Sequence, residues 1–178
     1  MHIRPDIALA VGMVARFATN PREDHMMEIK RIMRYLKGTK DYGLWYKLGG
    51  NLELKVFIDA DWVGNLDDRK STSGGAFFLV KRLLSWKRKK QNYTSQSIAE
   101  AKYVAATINC SNIVWFKQLL SGMKEEIKDP IFIFCDNTSA INISKNPVMH
   151  TKTKHIAIKY HFLREIVQDK EVRLHFCI

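Results

Sequence analysis

Two stretches with helical spacing open the chain. After Pro5, which suits a first helical position, Ile7, Val11, Val14 and Phe17 recur at turn-length intervals until Asn20-Pro21 interrupts them. A second stretch places Met26, Ile29, Ile32, Met33 and Leu36 on one face, with Lys30, Arg31 and Arg34 on or near the other, and stops at Lys37-Gly38. The pair is too small to make a domain alone. Residues 1–47 therefore read as the tail of an upstream module, leaving it through a short strand from Tyr42 to Tyr46.

From Leu52 the period changes to two. Leu52, Leu54, Val56 and Ile58 point one way and Lys55, Phe57, Asp59 and Asp61 the other, as in a strand that ends in acid. Gly64 to Ser73 reads as a polar connection, and Gly75 to Val80 and Leu83 to Lys87 as two further strands of a meander. Ser97 to Ser121 is strongly helical, with Ala101, Val104, Ala105, Ile108, Trp115 and Leu119 on its apolar face and Glu100 in its first turn. The unbroken apolar run Ile131 to Cys135 has the character of a buried central strand, and it ends on Asp136. Helices are expected from about Asn137 to Lys145 and from Ile156 to Val167, then a last strand from Val172 to Phe176.

This order of elements gives a site geometry. If the Ser97 to Ser121 helix is a crossover, the strands before Asp59 and Asp136 lie parallel, with both acids at their carboxyl ends. Glu100 would enter at the start of the crossover and complete a cluster of three carboxylates. Such a cluster calls for cations among its members, and oxygen-only ligands suit Mg²⁺ or Mn²⁺. Each acid also has an ordinary explanation: Asp136 as a helix cap, Glu100 as a first-turn acid favoured by the helix dipole, Asp59 as a solvated strand end.

Charge narrows the choice of partner. Against 18 Asp and Glu stand 29 Lys and Arg, a net charge of +11, which favours a polyanion. No apolar run approaches the roughly 20 residues of a spanning helix, and Arg4, Pro5 and Asp6 fall where a secretory signal would turn apolar. No membrane role and an intracellular, cytoplasmic setting are expected. Cys110, Cys135 and Cys177 are widely spaced, do not suggest zinc and are expected to be reduced thiols. Lys87 and Arg88, beside Trp86, form a candidate phosphate-contacting stripe with one stacking ring, or else a charged edge strand.

Five stretches carry a family resemblance: Phe57-Ile-Asp-Ala-Asp-Trp-Val-Gly64, Asp67-Asp-Arg-Lys-Ser-Thr-Ser-Gly74, Ala99-Glu-Ala-Lys-Tyr-Val-Ala-Ala106, Cys135-Asp-Asn-Thr-Ser-Ala-Ile141 and Lys154-His-Ile-Ala-Ile-Lys-Tyr-His-Phe162. Together they resemble the ribonuclease H region of copia-type retrotransposon Pol polyproteins. Upstream, Arg4-Pro-Asp-Ile7 and Arg34-Tyr-Leu-Lys-Gly-Thr39 resemble the end of the preceding reverse transcriptase region. The resemblance implies an α/β fold: a mixed five-stranded ribonuclease H-like sheet, with a three-strand antiparallel meander and two further strands, flanked by helices. It divides the chain into a reverse transcriptase tail at 1–47, the two-helix segment, and a ribonuclease H-like domain at 48–178. The family's last helix, with a fourth acid, is expected to be missing after Ile178.

The function implied is endonucleolytic hydrolysis of the RNA strand of an RNA:DNA hybrid during reverse transcription. Asp59, Glu100 and Asp136 would be the catalytic, metal-binding carboxylates, holding two Mg²⁺ or Mn²⁺ ions. Asn65, Ser97 and Asn137 are candidates for hybrid contacts together with Trp86, Lys87 and Arg88, and Asp61 and His155 are possible auxiliaries. The other partner would be the rest of Pol, including reverse transcriptase, within a virus-like particle if the element is live. Departures from the family pattern at Ile98, Ala99, Lys102 and Ala157 imply impaired hydrolysis; the alternative is a non-catalytic hybrid-binding or decayed remnant. Lys102 is expected to project to a different side of the helix from Glu100 and leave the site open. No Tyr-x-Asp-Asp sequence occurs, so copying of nucleic acid by this chain is not expected.

Overall fold

The computed structural model describes residues 4–46, 52–64, 69–145 and 162–177. The chain divides into two compact units, Met1–Trp45 and Tyr46–Ile178.

In the first unit a 3₁₀ turn, Pro5–Ile7, leads into helix α1 (Ala8–Val14), and a second 3₁₀ turn, Ala15–Phe17, closes it. Helix α2 runs from Glu23 to Gly38. The two motifs of this unit meet: Arg4 donates to both carboxylate oxygens of Asp6 and to the hydroxyl and carbonyl of Thr39, and the Tyr35 hydroxyl donates to Asp6. The strand expected from Tyr42 to Tyr46 does not form. Those residues have no ladder partner, and Trp45 is 87% exposed.

The second unit is built on one sheet of strands β1 (Leu54–Asp61), β2 (Thr72–Leu79), β3 (Arg82–Lys90), β4 (Ile131–Cys135) and β5 (Val172–Phe176), in the order β3-β2-β1-β4-β5. β1, β2 and β3 form an antiparallel meander, while β4 lies parallel to β1 and β5 parallel to β4. This is the mixed ribonuclease H-like sheet that the resemblance implies. β2 begins earlier than its polar residues suggest, because Thr72, Ser73 and Gly74 pair with Asp61, Ala60 and Asp59. The β2–β3 connection is a two-residue turn with Val80 and Lys81 both at positive φ, as a tight right-twisted hairpin requires.

Helices α3 (Ile98–Gly122), α4 (Thr138–Lys145) and α5 (Phe162–Gln168) cover one face of the sheet. Leu54, Val56, Ile58, Ile131, Ile133, Val172 and Leu174 supply the sheet side of this core, and Val104, Cys110, Ile113 and Phe116 supply the α3 side. β4 is central in the sheet but not buried on both faces. Its inward residues are buried, while Phe132 and Phe134 are half-buried on the other face, where Phe134 stacks on Phe57 at 4.8 Å. Trp115 and Leu119, placed on the apolar face of α3 by spacing, are exposed, and Ile113, Phe116 and Leu120 are buried instead. The part of the expected Ile156 to Val167 helix before Phe162 lies outside the described residues. Cys110 and Cys135 are buried free thiols, and burial pushes the Cys110 thiol up to about 12.

Candidate active site

Two of the three candidate carboxylates meet at the carboxyl ends of adjacent parallel strands. Phe57 pairs with Phe134 in the β1–β4 register, so a step of two residues along each strand brings Asp59 level with Asp136. Neither acid is in the core, because the alternation that buries Ile58, Ala60 and Cys135 turns Asp59 and Asp136 toward solvent. The Asp59 side chain is 75% exposed and that of Asp136 50%.

Between them stands Lys102. Its Nζ donates to Asp59 Oδ1 at 2.8 Å and also to Asp136 Oδ1. Asp59 Oδ1 further accepts the Ala60 amide at 2.8 Å. The lysine stem is held in place, the side chain being only 8% exposed. Burial works against the charge on Lys102, but hydrogen bonds to Asp136 and Asp59 outweigh it and hold the ammonium above the ordinary lysine range. α3 comes close here because the contact is made of small residues, Ala101 and Ala105 packing on Ala60.

Glu100 is not part of this group. Residues two apart on a helix lie about 200° apart around its axis, so only one of positions 100 and 102 can face the strand ends. Packing selects Lys102, and the expectation that it would leave the site open is overturned. Glu100 instead turns back to accept the Gln96 amide at 2.9 Å, while the Ser97 hydroxyl accepts the Glu100 amide at 3.2 Å. The two bonds fasten the start of α3 to the residues before it, Ser97 serving as the N-cap while the Glu100 side chain is itself buried. Among the described residues no group of three or more His, Cys, Asp or Glu side chains could hold a metal. Two aspartates alone would suit a hard divalent cation, but an ammonium already bonded to both does not, so the arrangement does not fit the expected metals.

Ser97 and Asn137, considered for hybrid contacts, both serve as helix caps, the Asn137 Oδ1 accepting the Ala140 amide at 2.8 Å. Asp61 is exposed at the end of β1, its carboxylate lying over Gly64, where a Cβ would meet it at 1.8 Å. Trp86, Lys87 and Arg88 lie on β3, an edge of the sheet, with Trp86 half-buried and the two cations exposed. Lys87 donates to Asn112 Oδ1 on α3 at 3.3 Å. Asn65 and His155 lie outside the described residues, as does the rest of the basic and histidine-rich segment around His155.

A buried polar cluster that sequence reasoning missed supports the start of α3. Gln91 donates through Nε2 to the Ser73 hydroxyl and the Ala101 carbonyl, both at 2.9 Å, and accepts from the Ser95 hydroxyl at 2.7 Å. It fixes the first turns of α3 against β2. Its members sit in polar segments with no periodicity, so only the preference of short hydroxyl residues for turns was there to be read.

Comparison of the whole sequence finds clear relatives. The chain is 40% identical over 171 residues to the retrovirus-related Pol polyprotein from transposon RE1 of Arabidopsis thaliana, covering 96% of this chain and 12% of that one. It is also 40% identical over 171 residues to the corresponding polyprotein from transposon TNT 1-94 of Nicotiana tabacum, covering 96% of this chain and 13% of that one. The chain belongs to the copia-type Pol polyproteins. It spans about an eighth of the length of these copia-type relatives. No family model matches it. Among solved structures it is similar to LC11-RNase H1, crystallised in complex with an RNA/DNA hybrid, with 13% identity, 70% of this chain and 83% of that chain covered, and a TM-score of 0.48. Among the described residues no helix is long and apolar enough to cross a membrane.

Proposed function

We propose that residues 48–178 form the ribonuclease H-type part of a copia-type Pol polyprotein, that its ligand is the RNA:DNA hybrid made during reverse transcription, and that hydrolysis is impaired in this chain. The observation that carries this reading is the register that sets Asp59 and Asp136 side by side at the ends of parallel strands, with Lys102 between them. Membership of the Pol family and the +11 charge support a nucleic-acid ligand. Discrimination in favour of a hybrid would rest on 2′-hydroxyl contacts across its wide minor groove, made by polar and backbone groups near the two helix caps at Ser97 and Asn137. Residues 1–47 would be the end of the reverse transcriptase region, and the working partner the rest of Pol, in the cytoplasm and inside a virus-like particle.

Hydrolysis is expected to suffer because the site offers an ammonium where the expected chemistry needs a further carboxylate. Asp59 and Asp136 remain able to orient polar groups of the nucleic acid, but one oxygen of each is held by Lys102. The test is a labelled RNA:DNA hybrid set beside DNA and RNA duplexes, with binding measured in chelator and cleavage measured separately with Mg²⁺ or Mn²⁺. Preferential binding of hybrid with little or no cleavage is the expected result. Equal binding to all three duplexes would remove the hybrid-specific reading, and rapid cleavage of the RNA strand would remove the claim of impairment.

A further inference from the structure

Lys102 is placed as a cation ligand would be, not as a surface lysine. It is held by a buried stem on α3, and its ammonium bonds at once to two carboxylates, one near the end of β1 and one just after β4. A surface ion pair leaves both partners free to swing into water; here the stem is buried and only the carboxylates are exposed. The ammonium offsets most of the repulsion that would otherwise separate two acids at neighbouring strand ends. Its three donors can serve both acids together, as a metal ion would.

We propose that Lys102 is an internal counter-ion that replaces a divalent metal between Asp59 and Asp136, making this a metal-independent site that excludes Mg²⁺ and Mn²⁺. A divalent ion close enough to ligate both aspartates would lie within a few ångströms of the ammonium, and the buried stem gives the lysine little room to withdraw. Position 102, not 100, is then the place from which α3 addresses the site. A carboxylate at 102 would face Asp59 and Asp136 and create the three-acid group that is absent among the described residues. The inference rests on the site reading above, but concerns only this chain and its cation, so it can be tested without nucleic acid.

The test uses the full 178-residue chain with Mn²⁺ alone as the probe, binding being followed by the electron paramagnetic signal of free Mn²⁺ and by thermal melts in chelator and in Mn²⁺. The unaltered chain should show no saturable site that depends on Asp136, and the same melting temperature in both conditions. Lys102→Glu should gain one saturable site at least about tenfold tighter than anything in the unaltered chain, melt higher in Mn²⁺ than in chelator, and lose both gains when Asp136→Asn is added. Because three bare carboxylates without metal could prevent folding, Lys102→Gln is run beside it; removal of the charge alone should move Mn²⁺ binding in the same direction by less. In the otherwise unaltered chain, Asp136→Asn should lower the melting temperature in chelator by taking away a partner of Lys102. Saturable Mn²⁺ binding by the unaltered chain that Asp136→Asn removes, or no gain in Mn²⁺ binding from either substitution at 102, would overturn the proposal. Hybrid binding in chelator, measured on the same preparations, separates the two ideas: its absence counts against the functional reading and leaves the counter-ion role standing.

Discussion

Gly75 shows how one missing side chain positions the helix that carries Lys102. A Cβ at Gly75 would meet Asn109 Oδ1 at 2.0 Å and its Cγ at 2.6 Å. Asn109 is itself buried and anchored, donating to the Gly74 carbonyl at 3.2 Å and the Ala105 carbonyl at 2.8 Å, so it cannot yield without losing those bonds. Gly75→Ala should therefore destabilise the second unit by about 1–3 kcal/mol, the usual cost of overpacking. Denaturant unfolding followed by tryptophan fluorescence measures this, and an unchanged midpoint would mean that α3 shifts away without penalty. The same substitution should loosen the Lys102 contacts, since Ala105 and Lys102 lie on one continuous helix.

At the scale of elements, the first unit is held by a charged staple from the turn before α1 to the end of α2. The Arg4 guanidinium, with help from the Tyr35 hydroxyl, holds the Asp6 carboxyl well below the usual carboxylate range. A folded-state value below the unfolded one gives a contribution that is fully present above about pH 4 and fades as pH falls through the folded-state value. Loss of this unit's structure on acidification should thus begin below about pH 4, and Asp6→Asn should weaken the unit at neutral pH while flattening its acid sensitivity. Circular dichroism of the full chain across pH 2–7 would register the difference, and identical acid profiles for both chains would show that the staple adds nothing. The meeting of Arg4 and Asp6 with Tyr35 and Thr39 also gives a physical reason for the two motifs in this unit: each holds half of one hydrogen-bond network.

For the molecule as a whole, the +11 charge predicts an association dominated by phosphate contacts and weakened steeply by salt. The exposed cations of β3 are a place to test it, since the strand is an edge and carries Lys87 and Arg88 in sequence. If both touch phosphates, Lys87→Glu with Arg88→Glu should reduce the slope of log affinity against log salt by about 2 for a hybrid duplex. If the slope is unchanged, their role is to keep an exposed sheet edge from pairing with another chain. Lys87→Glu also removes the bond to Asn112 on α3, so thermal melts of the same variants separate a loss of phosphate contact from a loosened helix.

The sequence by itself determined the order of the five sheet strands and of the long helix between the third and fourth, the alternation that buries Val56 and Ile58 while exposing Phe57 and Asp59, and the parallel placement of Asp59 and Asp136. These are local periods and chain-order rules, and a single chain carries them in full. Tertiary packing decided which side of α3 faces the strand ends. Core residues are spread around that helix, from Ala101, Tyr103 and Val104 to Ala105 and Ala106, so no single apolar stripe marks the side that meets the sheet. The first-turn position had pointed to Glu100, but the small contact of Ala101 and Ala105 on Ala60, with Gln91 fixing the first turns, turned Lys102 to the two aspartates and left Glu100 on the Gln96 amide.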